Sequence, residues 1–125
     1  LTVPQVTQTG PVYDIKHTAD KVWLVTYDNL VAIDRHTAEA LDYSEINNYG
    51  GARAIAVTDT LVAAATPQGL LLFLVGSAPR HYLYTVSDGL ISNNVKDLVI
   101  DGDYIWLGTD RGLTRFWYMD PALNN

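Results

Sequence analysis

The chain has 125 residues and a mass of 13.8 kDa, enough for one domain with its own core, and nearly half of it is hydrophobic, which excludes a disordered tail. A net charge of −6 and a pI near 4.7 argue against nucleic acid, whose phosphates need a basic face, and disfavour a surface for anionic lipid. Cysteine is absent, which removes disulfides and thiol nucleophiles, and the longest apolar run, Leu70–Val75, is far short of the ~20 residues of a membrane span.

In chain order, Thr2–Thr7 is a strand-like opening segment. β-branched and aromatic residues then alternate between polar turns, the pattern of an all-β chain. Strands are predicted over Tyr13–His17, Val22–Thr26 and Val31–Asp34, with turns at Ala19-Asp20 and Asp28-Asn29 and a fourth strand over Ala40–Ser44. A second set covers Arg53–Val57, Leu61–Ala65 and Leu71–Leu74, turning at Asp59-Thr60 and Gln68-Gly69, and ends with His81–Thr85. The third covers Lys96–Ile100, Tyr104–Gly108 and Thr114–Trp117, turning at Gly102-Asp103 and Arg111-Gly112, and Pro121 leaves no room for a fourth strand. The helix-friendly stretch Thr37–Leu41 is too short to stand alone.

These sets repeat. Val12–Ile33, Ala52–Phe73 and Val95–Phe116 align without a gap, placing Thr26, Thr66 and Thr109 forty and then forty-three positions apart. Trp23-Leu24-Val25-Thr26 lies under Trp106-Leu107-Gly108-Thr109, Ala63 replaces the Trp in the middle copy, and Asn29 stands at the Gly69 and Gly112 position. Asn for Gly is coherent with a turn that needs positive φ. A period near forty residues with strand content is the signature of propeller blades.

The segment Gly89-Leu-Ile-Ser-Asn-Asn-Val95 followed by Trp106-Leu-Gly-Thr-Asp-Arg-Gly-Leu113 resembles the two-component regulator propeller repeat. The resemblance is tight over Asp88–Phe116, looser over Val12–Asp34 and faint over Ala52–Leu74. In that family such blades build propellers in the sensory regions of bacterial membrane receptors and in other exported proteins. The resemblance therefore implies an extracytoplasmic propeller module. Family members carry many blades and a kinase or regulator part, whereas this sequence has three blades. It opens at Leu1 without a basic-then-apolar leader, so a processed form or a fragment of an exported protein is expected.

Trp23 and Trp106 fit packing between blades better than sugar-stacking platforms, and the three threonines fit hydrogen bonding to turn backbone. Asp101-Gly102-Asp103 has two carboxylates about a turn but lacks the further oxygens a calcium loop needs, so a hairpin is the simpler reading. His17, His36 and His81 follow no ligand spacing, and no serine lies in a nucleophile elbow. No metal site, cofactor or catalytic residue is assigned. In a propeller the second turns and the blade-to-blade connections share the face around the channel mouth. That face would gather Tyr27, Asp28, Gln68, Asp110 and Arg111 from turns, and Asn47, Asn48, Tyr49, Asn93 and Asn94 from connections. Taken singly, each is as well explained as turn framework.

The expected architecture is all-β: three four-stranded propeller blades over about 11–46, 51–86 and 94–119, with strand 2–7 completing the last. Three blades do not close a ring, and open sheet edges invite pairing. The expected partner is a second copy, closing a six-bladed ring, or another propeller-forming chain. The expected function is a non-catalytic, exported binding or assembly module facing a protein partner or a polar ligand, carbohydrate or peptide. The alternatives are a polysaccharide lyase or hydrolase, with Asp28 and Asp110 as its carboxylates, and a structural subunit of a larger complex or filament.

Overall fold

The computed structural model describes residues 10–26, 28–75 and 80–119. Within them the chain is all-β, in three antiparallel sheets whose strands follow one another in sequence order. The first sheet holds β1 (Asp14–His17), β2 (Lys21–Val25), β3 (Leu30–Asp34) and β4 (Ala40–Tyr43). The second holds β5 (Ala54–Val57), β6 (Leu61–Thr66), β7 (Gly69–Leu74) and β8 (Arg80–Tyr84). The third has three described strands, β9 (Val95–Asp101), β10 (Tyr104–Thr109) and β11 (Gly112–Trp117). The strand expected over Thr2–Thr7, and with it any completion of the third sheet, lies outside the described residues.

The sheets pack in series through opposite faces. Trp23, Val25, Leu30 and Ala32 of the first sheet meet Ile55, Val62, Ala64, Leu71 and Phe73 of the second. The other face of the second sheet, with Ala56, Ala63, Ala65 and Leu72, meets Leu98, Ile105, Leu107 and Phe116 of the third. This explains why the middle copy of the repeat is degenerate. A sheet covered on both sides loses the alternation of apolar and polar residues. Accordingly β6 is buried at every position, whereas β10 alternates between buried Ile105 and Leu107 and half-exposed Trp106 and Gly108. Ala63 stands at the tryptophan position because Tyr84 and Phe116, with ring centroids 5.0 Å apart, fill the second seam instead.

Each connection between sheets drives one aliphatic side chain into the core. Ser44–Tyr49 is a 3-10 turn that buries Ile46 completely, and Val86–Asp88 is a second, followed by buried Leu90. In the latter, Thr85 and Asp88 cap each other: the Ser87 amide donates to Thr85 Oγ1 (3.3 Å) and the Thr85 amide to Asp88 Oδ2 (2.9 Å).

The turn threonines behave as expected in two of three copies. Thr66 Oγ1 donates to the Gly69 carbonyl and Thr109 Oγ1 to that of Gly112, both at 2.8 Å, and each hydroxyl accepts the amide two residues on. Gly69 has φ +145°, and a Cβ there would stand 2.3 Å from the Tyr84 carbonyl oxygen, so glycine is needed on both counts. Asn29 differs from the expectation: it has no positive φ, although its carbonyl accepts the Thr26 amide at 2.9 Å. Thr26 Oγ1 there turns to Asp28 Oδ1 at 3.4 Å.

Candidate functional site

The first strands of the three sheets meet at one end. Asp14 Oδ2 accepts the Ile55 amide at 2.9 Å, tying the first sheet to the second. Arg53 Nη1 donates to Asn94 Oδ1 at 2.7 Å and to the Val95 carbonyl at 3.4 Å, tying the second to the third. Between these ties opens a cleft of about 290 Å³, lined by Tyr13, Asp14 and Lys16 from the first sheet. Arg53 and Ala54 line it from the second, and Lys96 and Asp97 from the third. Tyr13, Arg53 and Lys96 occupy one position of the repeat, as do Asp14, Ala54 and Asp97.

The cleft is charged in a defined way. Lys16 Nζ holds both oxygens of Asp14 at 2.8 and 2.9 Å. Partial burial pushes the Asp14 carboxyl up, but the Lys16 ammonium and the amides of Ile55 and Ile15 outweigh it, so the group stays below the ordinary carboxylate range. With that pair neutralised, Arg53 and Lys96 face Asp97 alone, leaving one net positive charge in a chain of −6.

The residues expected at the channel mouth fall into three groups. Asn93 and Asn94, on the connection into the third sheet, and Asp110, on that sheet's second turn, are brought together and act as framework. Asn93 Oδ1 accepts the Val86 amide at 2.7 Å, Asn94 Oδ1 accepts from Arg53, and Asp110 Oδ1 accepts Ser92 Oγ at 2.6 Å. That hydroxyl, working against burial, is the main reason the Asp110 carboxyl sits below its usual range. Asp28, Gln68 and Arg111 are exposed on the second turns of their own sheets, and no hydrogen bond among the described residues links the three turns. Tyr27 lies outside the described residues. Of the other connection residues, Tyr49 meets His81, Oη to Nε2 at 3.2 Å, while Asn47 and Asn48 are exposed. Asn94 is therefore the expected residue that touches the cleft, through Arg53.

A larger recess of about 410 Å³ lies between the second and third sheets at the opposite end, with Leu61, Leu72, Tyr82, Tyr84 and Tyr118 in its walls. It continues the apolar seam: Tyr82 and Tyr118 pack on the core, and the Tyr118 hydroxyl donates to the Gly102 carbonyl at 2.8 Å. The Asp101-Gly102-Asp103 turn is a hairpin, with Gly102 at φ +58° and Asp101 Oδ2 accepting the Trp106 indole at 3.2 Å. Among the described residues, no three His, Asp or Glu side chains gather as a metal would need.

No protein-family model matches the sequence, and no curated protein is significantly similar to it. Solved structures do share the fold. PorZ of Porphyromonas gingivalis, described as an essential bacterial surface component of the type-IX secretion system, matches 85% of this chain with a TM-score of 0.66 and 20% identity. This chain spans 17% of that one. The computationally designed Ika4 protein matches 89% of this chain and 93% of its own length, with a TM-score of 0.53 and 11% identity. At these identities the likeness is one of fold. No helix among the described residues is long and apolar enough to cross a membrane.

None of the residues expected at the channel mouth lines the cleft, and Tyr13, Lys16, Arg53, Lys96 and Asp97 were not singled out from the sequence. A charged residue on a short strand reads as a solvated face. The signal was in the repeat frame, where one position carries Tyr13, Arg53 and Lys96 in turn.

Proposed function

We propose that the chain is a non-catalytic, exported binding module of β-propeller type, whose first-strand cleft takes a polar, carboxylate-bearing ligand. The observation that carries this reading is the convergence of Arg53 and Lys96 beside a neutralised Asp14–Lys16 pair in an otherwise acidic chain. Guanidinium and ammonium groups pair with carboxylates through short, charge-assisted bonds, and the Tyr13 ring beside them offers a face to a sugar or a peptide side chain. The same chemistry suits an acidic saccharide and an acidic peptide. Adjoining first strands and sheets packed in series fit three blades of a propeller whose remaining blades are supplied elsewhere. The resemblance to two-component regulator propeller repeats and the likeness to part of a bacterial surface component support an extracytoplasmic setting.

The lyase or hydrolase reading has less support. Asp28 and Asp110 lie on turns of the first and third sheets, and Asp110 is held ionised by Ser92, which unsuits it as a general acid. Calorimetry with oligogalacturonate and with an oligoglutamate peptide tests the binding reading. At least one is expected to bind, and Arg53→Ala or Lys96→Ala to weaken it by about tenfold, equivalent to ~1.4 kcal/mol. Binding unchanged in both variants would contradict the assignment, and so would the absence of binding by either probe.

A further inference from the structure

The recess at the end of the molecule opposite the cleft lies where the second seam departs from the first. In the first seam Tyr43 packs between Trp23 and Phe73, with ring centroids 5.7 and 5.9 Å from its own. In the second seam Tyr84 pairs with Leu70 as Tyr43 pairs with Leu30, but Ala63 stands at the position of Trp23. The alanine leaves out the volume of an indole beside Leu72, its cross-strand partner. Leu72 is in the wall of the recess, whose volume is about 410 Å³.

The recess is aromatic and acidic. Tyr82 and Tyr84 lie side by side along β8, their ring centroids 6.4 Å apart and their planes 18° apart. Tyr118, just past β11, supplies a third ring, and its hydrogen bond to the Gly102 carbonyl uses the hydroxyl and not the ring. Thr58, Thr60 and Asp103 are the polar members, and among the described residues no basic side chain lines the recess. Arg80, two residues before Tyr82, is exposed and outside it. The fixed charges that the rings feel are negative. Burial pushes the Tyr118 hydroxyl up, and the Asp103 carboxylate adds to it. Burial pushes Tyr84 up too, with Tyr82 and the Asp88 carboxylate adding.

The two ends of the molecule therefore differ in character, with Arg53 and Lys96 in the cleft and tyrosine rings beside a carboxylate in the recess. The negative face of an aromatic ring attracts a cation, and a carboxylate next to the rings adds to the attraction. A neutral apolar guest gains from Leu61 and Leu72 but nothing from Asp103, and an acidic guest is repelled. We infer that the tyrosine recess between the second and third sheets binds an organic cation, an alkylated ammonium group seated on Tyr82 and Tyr118 with its charge next to Asp103. The site is independent of whether the cleft binds a carboxylate, because the two share no residue.

Choline and its uncharged carbon analogue, dimethylbutanol, share a shape and differ in charge. Amide NMR titration of the whole chain with choline is expected to give saturable shifts centred on Thr58, Tyr82 and Tyr118. Dimethylbutanol is expected to bind about tenfold more weakly at the same place. Asp103→Asn, on an exposed hairpin turn that asparagine tolerates, is expected to weaken choline about fivefold and to leave dimethylbutanol unchanged. Tyr82→Leu keeps an apolar side chain against the core and is expected to weaken choline about tenfold. Equal affinity for the two probes overturns the proposal, since the recess then takes apolar matter and not charge. The absence of saturable shifts with choline overturns it as well, as do shifts centred on Trp106. Undiminished choline binding in Asp103→Asn also overturns it, whether or not Tyr82→Leu folds.

Discussion

Asp14 does two jobs with one carboxylate, neutralising Lys16 inside the cleft and fastening the first sheet to the Ile55 amide of the second. Its pKa in the folded chain lies below the ordinary 3.8. Its contribution to stability is therefore fully present above about 4 and is lost as pH falls through the lower, folded value. Asp34, held by the Thr37 and His36 amides, and Asp110 are shifted in the same direction, so acid weakens the fold at several points. Asp14→Asn is expected to be less stable than the native chain at neutral pH, with the two denaturation midpoints converging as pH falls through the lowered pKa of Asp14. Urea titrations across that range check it, and a constant gap between the two curves would contradict the role given to Asp14. None of this was legible in the residue itself. An Asp-Ile-Lys segment on a first strand reads as a solvent-facing edge, and only the approach of another sheet gives its carboxylate an amide to hold.

Among the elements, the hairpins that build each sheet were legible nearly to the residue, because turn chemistry and a period of two mark both ends of a strand. The two 3-10 turns were not. Ser44–Tyr49 and Val86–Asp88 are too short to show a helical period, and the packing of Ile46 and Leu90 beside them decides their shape. The tryptophans show where a repeat stops being informative. Trp23 and Trp106 are equivalent in sequence, yet the first is a core residue and the second is half-exposed, because a sheet follows the first and none of the described residues covers the second. In the dilute, monomeric chain, Trp23→Ala is expected to cost about 3–5 kcal/mol and Trp106→Ala under about 1 kcal/mol. Equal losses in chemical denaturation would mean that both faces are buried in the isolated chain.

For the molecule as a whole, the forty-residue period gave the number of sheets and their order, and the structure adds which faces meet. The second sheet is saturated on both sides; the third keeps one open face. The cleft arises at this scale, since each of its walls comes from a different sheet and no single repeat contains it. Its charge is what distinguishes it from the larger apolar recess at the opposite end. The most direct test is a two-dimensional amide NMR titration of the chain with oligogalacturonate and, separately, with oligoglutamate. The account predicts saturable shifts, with at least one ligand, centred on Tyr13, Arg53 and Lys96. Shifts centred on Tyr82 and Tyr118, or none with either ligand, would contradict it.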